Sequence, residues 1–399
     1  MTKPDTGISR HSGLLTLMTM GHLVNDFVAG ALWIIAPAIA ASMGLGPAEV
    51  GLILTVYGIA AGLIYIPAGF LADRISNQGV LLLISFWWVA VGYFLATLVP
   101  GFWPITLMLA LGVMGDAFWH PVATGVLVKN VPERRAQVLG IHAMGGSVGA
   151  EMLGPLCAGF LLGYFSWEST LQLLLIAPVG MGLLFLYYAP KIPRNTSAKI
   201  TVGQLVDLVR EWLTPRGTGI MVMMIAYNMS LYGMLAMSPL TLQEVYGFNP
   251  FYTSVLFAVM LVFGTICQPF VGQFSDRVGR KSLIVGVVLT AAACALAAGL
   301  FQPFLPFITF LVLSVSLLTA IRPVILAAAV EFSGKSESTT LGVVFSVLDG
   351  VGAAGALAAG YFGEFQLHYA FIFAGVLALV SSLVAALISL RPVRSAAAT

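Results

Sequence analysis

The chain has 399 residues, 59% of them hydrophobic and 9% charged, with a mean hydropathy of +0.98 and a formal net charge of +2. A soluble domain carries roughly a quarter charged residues, so this composition excludes an aqueous surface and makes lipid the solvent. Walker and Rossmann phosphate loops, His- or Cys-rich metal clusters and basic patches with interleaved aromatics are missing from the sequence, so no ATP drive, cofactor, metal or nucleic-acid partner is expected.

A spanning helix needs about 20 mostly apolar residues. Such runs are predicted at about 14–40, 48–72, 79–99, 104–128, 136–163, 168–189, 217–243, 251–273, 281–300, 304–330, 338–363 and 368–390. They lack the alternation of barrel strands, so the expected fold class is an all-α membrane protein with twelve transmembrane helices. The first run is too long for a signal-peptide core and contains Asp26, so it reads as an uncleaved span. Cys157, Cys267 and Cys294 fall inside apolar runs and read as small buried hydrophobes. With the N-terminus inside, every Lys and Arg except Arg322 falls in inner segments, and the outer loops hold only Glu49, Glu168, Glu244 and Glu364. The positive-inside rule therefore places both termini in the cytoplasm.

Between the sixth and seventh runs lies the longest polar stretch. Val202, Leu205, Val206, Val209, Trp212 and Leu213 recur there at helical spacing opposite Asp207, Arg210 and Glu211, the pattern of a short helix on the inner membrane surface. Residues 1–190 and 217–399 are then two six-helix halves joined by a cytoplasmic linker, 191–216. The halves repeat each other. Gly69 and Asp73-Arg74 recur as Gly272 and Asp276-Arg277, Val148-Gly149-Ala150 as Val351-Gly352-Ala353, and Asn25 and Gly30 as Asn228 and Gly233, all 203 positions on. His120-Pro121-Val122 recurs as Arg322-Pro323-Val324 at 202. Repeated halves with a site between them are an architecture of alternating-access transporters.

The stretches Gly69-Phe70-Leu71-Ala72-Asp73-Arg74 and Gly272-Gln273-Phe274-Ser275-Asp276-Arg277-Val278-Gly279-Arg280-Lys281 close helices 2 and 8. They resemble the signature loop of the major facilitator superfamily, and the resemblance covers the whole chain. It implies two pseudo-symmetric six-helix bundles and a gating role for Gly69, Asp73, Arg74, Gly272, Asp276, Arg277 and Arg280. The first copy departs from the pattern, continuing Ile75-Ser76-Asn77-Gln78.

A charge at the bilayer centre costs on the order of 3 kcal/mol, which singles out Asp26, Asp116, Glu151, Arg322 and Asp349, with His22, His120 and His142 as titratable companions. His22 and Asp26 share one helix face, as do Asp116 and His120, each pair four apart. A carboxylate beside an imidazole suits a proton relay; a buried polar network holding helices together is the competing reading. Arg322 and Asp349 read either as a structural ion pair or as the anchor for an anionic group. Glu151 sits in a run of small residues on helix 5 that resembles the glycine-proline motif of drug–proton antiporters, with Ala150 and Ala158 in place of glycines.

Gly21-His22-Leu23-Val24-Asn25-Asp26, Phe118-Trp119-His120-Pro121 and the helix 5 run together look like the fosmidomycin-resistance branch, which implies proton-driven efflux of small compounds. That branch commonly has a carboxylate after His-Pro, where this chain has Val122; Asp116, one turn earlier, is the candidate replacement. The expectation is a monomeric, non-enzymatic secondary transporter of the bacterial inner membrane. Its cavity is lined mainly by helices 1, 4, 7 and 10. Asp26, Asp116, His22, His120 and Glu151 handle protons, while Asn25, Asn228, Arg322, Asp349, Trp33, Trp119, Tyr227 and Tyr232 meet a small solute. The alternative is a proton- or sodium-driven symporter importing a small organic anion anchored by Arg322.

Overall fold

The computed structural model describes residues 7–131, 135–194, 203, 210–333 and 342–390. Among them twelve helices are long and apolar enough to cross a membrane: α1 (Ser12–Ser42), α2 (Pro47–Arg74), α3 (Gln78–Ala96), α4 (Phe102–Asn130), α5 (Gln137–Leu162), α6 (Trp167–Lys191), α7 (Pro215–Glu244), α8 (Pro250–Val278), α9 (Arg280–Leu300), α10 (Phe304–Phe332), α11 (Gly342–Phe365) and α12 (Leu367–Leu387). In lipid every backbone group must be satisfied within its own segment, which makes the helix the favoured spanning unit. Polar caps mark where spans begin. Thr214 accepts from Gly217 N at 3.2 Å before Pro215, and Asn249 accepts from Tyr252 N at 2.9 Å before Pro250.

The helices form two six-helix bundles, α1–α6 and α7–α12. Small residues set the close approaches. Gly149 faces the Leu23 backbone and Gly154 the Phe27 backbone, so α5 lies directly on α1. Both α5 and α11 widen into one π turn, at Val148–Leu153 and Ser346–Val351. Each turn carries a membrane-embedded carboxylate, Glu151 in the first and Asp349 in the second, in keeping with the tendency of π bulges to occur at functional sites.

The bundles meet along one end of the molecule. Between α2 and α11, Gly51 faces the Ala356 backbone, Thr55 Oγ1 donates to Ala353 O at 2.8 Å, and Ser346 Oγ donates to Gly62 O at 2.8 Å. At the tip of this seam, Glu364 accepts from Ala48 N at 2.9 Å across the bundle boundary. The Trp33 ring of α1 meets Tyr232 of α7 edge-on at 5.2 Å, and Thr265 of α8 donates to Glu151 of α5. Toward the opposite end, where the basic loops lie, α2 and α8 carry exposed Leu71, Phe274 and Val278. The closed seam therefore sits at the acidic-loop end.

The two signature stretches pair within their own bundles. Lys129 reaches Asp73 at 3.4 Å, while Arg280 meets Glu331 through two contacts of 2.8 and 2.5 Å and Asp276 at 3.8 Å. Their departure in sequence has a structural counterpart. Gly279 turns the chain at φ +88°, a conformation that favours glycine. In the first copy Asn77 instead caps α3 by accepting from Val80 N at 3.3 Å. Of the expected surface helix, Val202, Leu205, Val206, Asp207 and Val209 lie outside the described residues. Trp212 is buried against Phe332 of α10 at 5.2 Å while Leu213 is exposed, so these two do not share one lipid-facing side.

Candidate functional site

Midway along α1 and α4 the fold gathers a compact polar cluster. His22 Nε2 lies 3.2 Å from Asp26 Oδ2, one turn along the same helix. From α4, His120 Nε2 lies 3.8 Å from Asp26 Oδ1 and 3.7 Å from Asp116 Oδ2. Asn25 Nδ2 holds Asp116 from the other side, donating to its Oδ1 at 2.6 Å and to its backbone carbonyl at 3.1 Å. The four-residue spacings read from the sequence therefore close into one site, because α1 and α4 present those faces to each other.

α5 completes the wall. His22 Nδ1 is 2.8 Å from the His142 carbonyl, and the two rings stack at 4.2 Å. A carbonyl only accepts, so Nδ1 carries the proton and Nε2 is the atom turned toward Asp26. Gly146 lies over the same atoms: a Cβ there would stand 2.6 Å from His22 Nε2 and 2.8 Å from Asp26 Oδ2. His142 was singled out from sequence only as a titratable companion, and Gly146 was not assigned to the site. Nor was any metal cluster, yet His22, Asp26 and His120 offer ligand atoms that lie within 4.8 Å of one another.

Across the interface the second bundle presents one ion pair, Arg322 Nη2 to Asp349 Oδ1 at 2.9 Å. Tyr65 of α2 stands between the two groups. Its hydroxyl is 3.4 Å from Asp349 Oδ2 and its ring 6.1 Å from that of His120. A tyrosine hydroxyl inside an apolar span was the available sequence signal for this residue. Trp33 and Tyr232 flank the seam just beyond.

Four expected solute contacts belong to the helix framework instead. Trp119 is fully buried inside the first bundle, where its ring meets Phe86 at 4.9 Å and Phe185 at 5.7 Å. The residue before His120 on a helix points away from the cluster face, toward α3 and α6. Tyr227 donates to Leu318 O at 2.6 Å and Asn228 to Leu348 O at 2.6 Å, and both are fully buried, tying α7 to α10 and α11. Asn25 is likewise fully buried and occupied by Asp116. Tyr227, Asn228 and Asn25 thus satisfy backbone or carboxylate acceptors, while Trp119 packs among rings.

The model of the Major Facilitator Superfamily matches residues 18–354 and 266–399. A probable sugar efflux transporter of Pasteurella multocida is 25% identical over 191 residues, 47% of this chain and 46% of its own length. The hexuronate transporter of Bacillus subtilis is 23% identical over 69% of this chain and 67% of its own length. The fosmidomycin resistance protein of Escherichia coli is 23% identical over 70% of this chain and 69% of its own length. The chain thus spans under half of the first relative and about two thirds of the other two. A crystal structure of a bacterial homologue of the human lysosomal transporter Spinster, in an inward-facing and occupied conformation, shares the fold with a TM-score of 0.74 at 16% identity, over 94% of this chain and 96% of that one. The repeat, the paired signature stretches and the two-bundle fold agree with these matches: the chain belongs to the Major Facilitator Superfamily and is a multi-pass membrane protein.

Proposed function

We propose that this protein is a proton-coupled secondary transporter that exports a small organic solute across the bacterial inner membrane by alternating access. The observation that carries this reading is the cluster of His22, Asp26, Asp116 and His120, two carboxylates and two imidazoles joined by contacts of 3.2 to 3.8 Å within one bundle. Intramembrane carboxylates and histidines mark proton relays. On this reading Asp26 and Asp116 carry the protons with help from the two histidines. Glu151 reports the state of the interface through Thr265 of the opposite bundle. Trp33, Tyr232, Arg322 and Asp349 face the solute path. Residues 1–190 and 217–399 rock about the linker 191–216, with both termini cytoplasmic and the basic-loop side facing inward. The Asp73 and Arg280 pairings within each bundle are then the released state of the gate, with Gly69, Arg74, Gly272, Asp276 and Arg277 completing it. The working unit is a monomer.

Export is favoured by relatives named for sugar efflux and fosmidomycin resistance. The experiment is solute transport by purified protein in liposomes containing a pH-sensitive dye, against a panel of sugars, organic anions and antibacterial compounds. Solute-dependent proton flux that disappears in both Asp26→Asn and Asp116→Asn supports the reading; flux that persists in both refutes it. One observation favours import of a small organic anion instead. The Arg322 side chain is 30% exposed despite its ion pair, leaving part of the guanidinium open to an anion, and one relative is named a hexuronate transporter. Counterflow with the gradient reversed separates the two.

A further inference from the structure

Three of the same side chains have a property that proton transfer does not require. Zinc bonds imidazole nitrogen and carboxylate oxygen at about 2.0–2.2 Å in a tetrahedron, so neighbouring ligand atoms stand about 3.4 Å apart. His22, Asp26 and His120 each offer one ligand atom within 4.8 Å of the others, with His22 Nε2 3.2 Å from one oxygen of Asp26 and His120 Nε2 3.8 Å from the other. Two imidazoles and a carboxylate are also a donor set suited to zinc and its neighbours.

A second observation concerns what lies around the donors. His22 is held as a metal-ligating histidine usually is, its Nδ1–H on a carbonyl 2.8 Å away and its Nε2 free to bond a cation. That nitrogen faces Asp26 Oδ2 at 3.2 Å. Asn25 orients Asp116, a second carboxylate beside the site, at 2.6 Å. The carboxylates carry two negative charges inside a span, and a divalent ion balances both.

We propose that His22, Asp26 and His120 form a binding site for one divalent transition-metal ion of the zinc kind, with water completing the coordination. The His120 side chain, 24% exposed, is the side of the site open to access. All three ligands come from α1 and α4, so the ion fills the site without bridging the two bundles. The proposal does not depend on the transport reading, and its test uses neither solute nor gradient.

The test is titration of the detergent-purified full chain with cobalt(II), followed by visible absorption. One cobalt per chain, with the intense d–d bands of a four-coordinate site and displacement by zinc, is the expected result. His22→Ala and His120→Ala should each weaken binding by roughly tenfold or more, the scale on which site integrity affects metal affinity. His120→Cys keeps a ligand in place and should retain the ion while adding a thiolate-to-cobalt charge-transfer band. No d–d band in the wild type, or unchanged affinity and spectrum in His120→Ala, overturns the site. If an alanine variant fails to fold, the cysteine variant still decides: a bound cobalt without the charge-transfer band refutes the assignment.

Discussion

Replacing Arg322 by methionine should leave Asp349 as an uncompensated charge within the span, and the size of the effect follows from the geometry. The pair stands at 2.9 Å, which at an effective dielectric of about 20 is about 6 kcal/mol of attraction before desolvation is counted. Removing one partner of a buried pair costs about 3–5 kcal/mol, whereas removing both is close to neutral. Arg322 is 30% exposed and Tyr65 still reaches Asp349 at 3.4 Å, so the lower end of that range, about 3 kcal/mol, is expected for Arg322→Met. Arg322→Met with Asp349→Asn should recover most of the loss. The assay is a double-mutant cycle on the thermal unfolding of purified protein in one detergent. A coupling energy of about 2–3 kcal/mol is the expected outcome, well above the ~0.5 kcal/mol error of additivity. Coupling indistinguishable from zero would refute the reasoning and leave Arg322 free to anchor an anionic solute.

Two further substitutions probe the cluster and the seam. Gly146→Ala places a methyl group 2.6 Å from His22 Nε2; overpacking of this kind costs about 1–3 kcal/mol. Thermal unfolding should shift down while His22→Ala combined with Gly146→Ala recovers part of the loss, and an unshifted midpoint would mean the space over the cluster is not confined. Glu364→Gln removes the charged acceptor from the α2 N-terminus, where Ala48 N donates at 2.9 Å, an interaction worth about 0.3–1 kcal/mol. The seam should then open more often. With Cys157, Cys267 and Cys294 replaced by serine, Thr55→Cys should react up to about fivefold faster with an impermeant maleimide, and an unchanged rate would exclude the cap as part of the closed seam.

The spans were legible because lipid leaves so few alternatives. Runs predicted at 48–72, 217–243 and 281–300 emerge as Pro47–Arg74, Pro215–Glu244 and Arg280–Leu300. The pairing of His22 with Asp26 and of Asp116 with His120 was equally legible, since a helix places residues four apart on one face whatever surrounds it. Distances of the kind that join α1 to α4 were not. That His120 reaches Asp26 at 3.8 Å, that Asn25 donates to Asp116, and that Trp119 turns into the first bundle all depend on which helix faces which. Apolar composition cannot specify this, because lipid and protein interior are alike to a leucine. Glycine contacts specify it instead. Gly149 and Gly154 bring α5 onto α1, Gly146 lets α5 close over His22, and Gly51 brings α2 onto α11. The sequence by itself determined twelve helices, two repeated halves and the polar groups that a membrane would not otherwise tolerate. Only the tertiary structure decided which of those groups meet, because their meeting depends on backbone approaches a few ångströms wide between residues far apart in the chain.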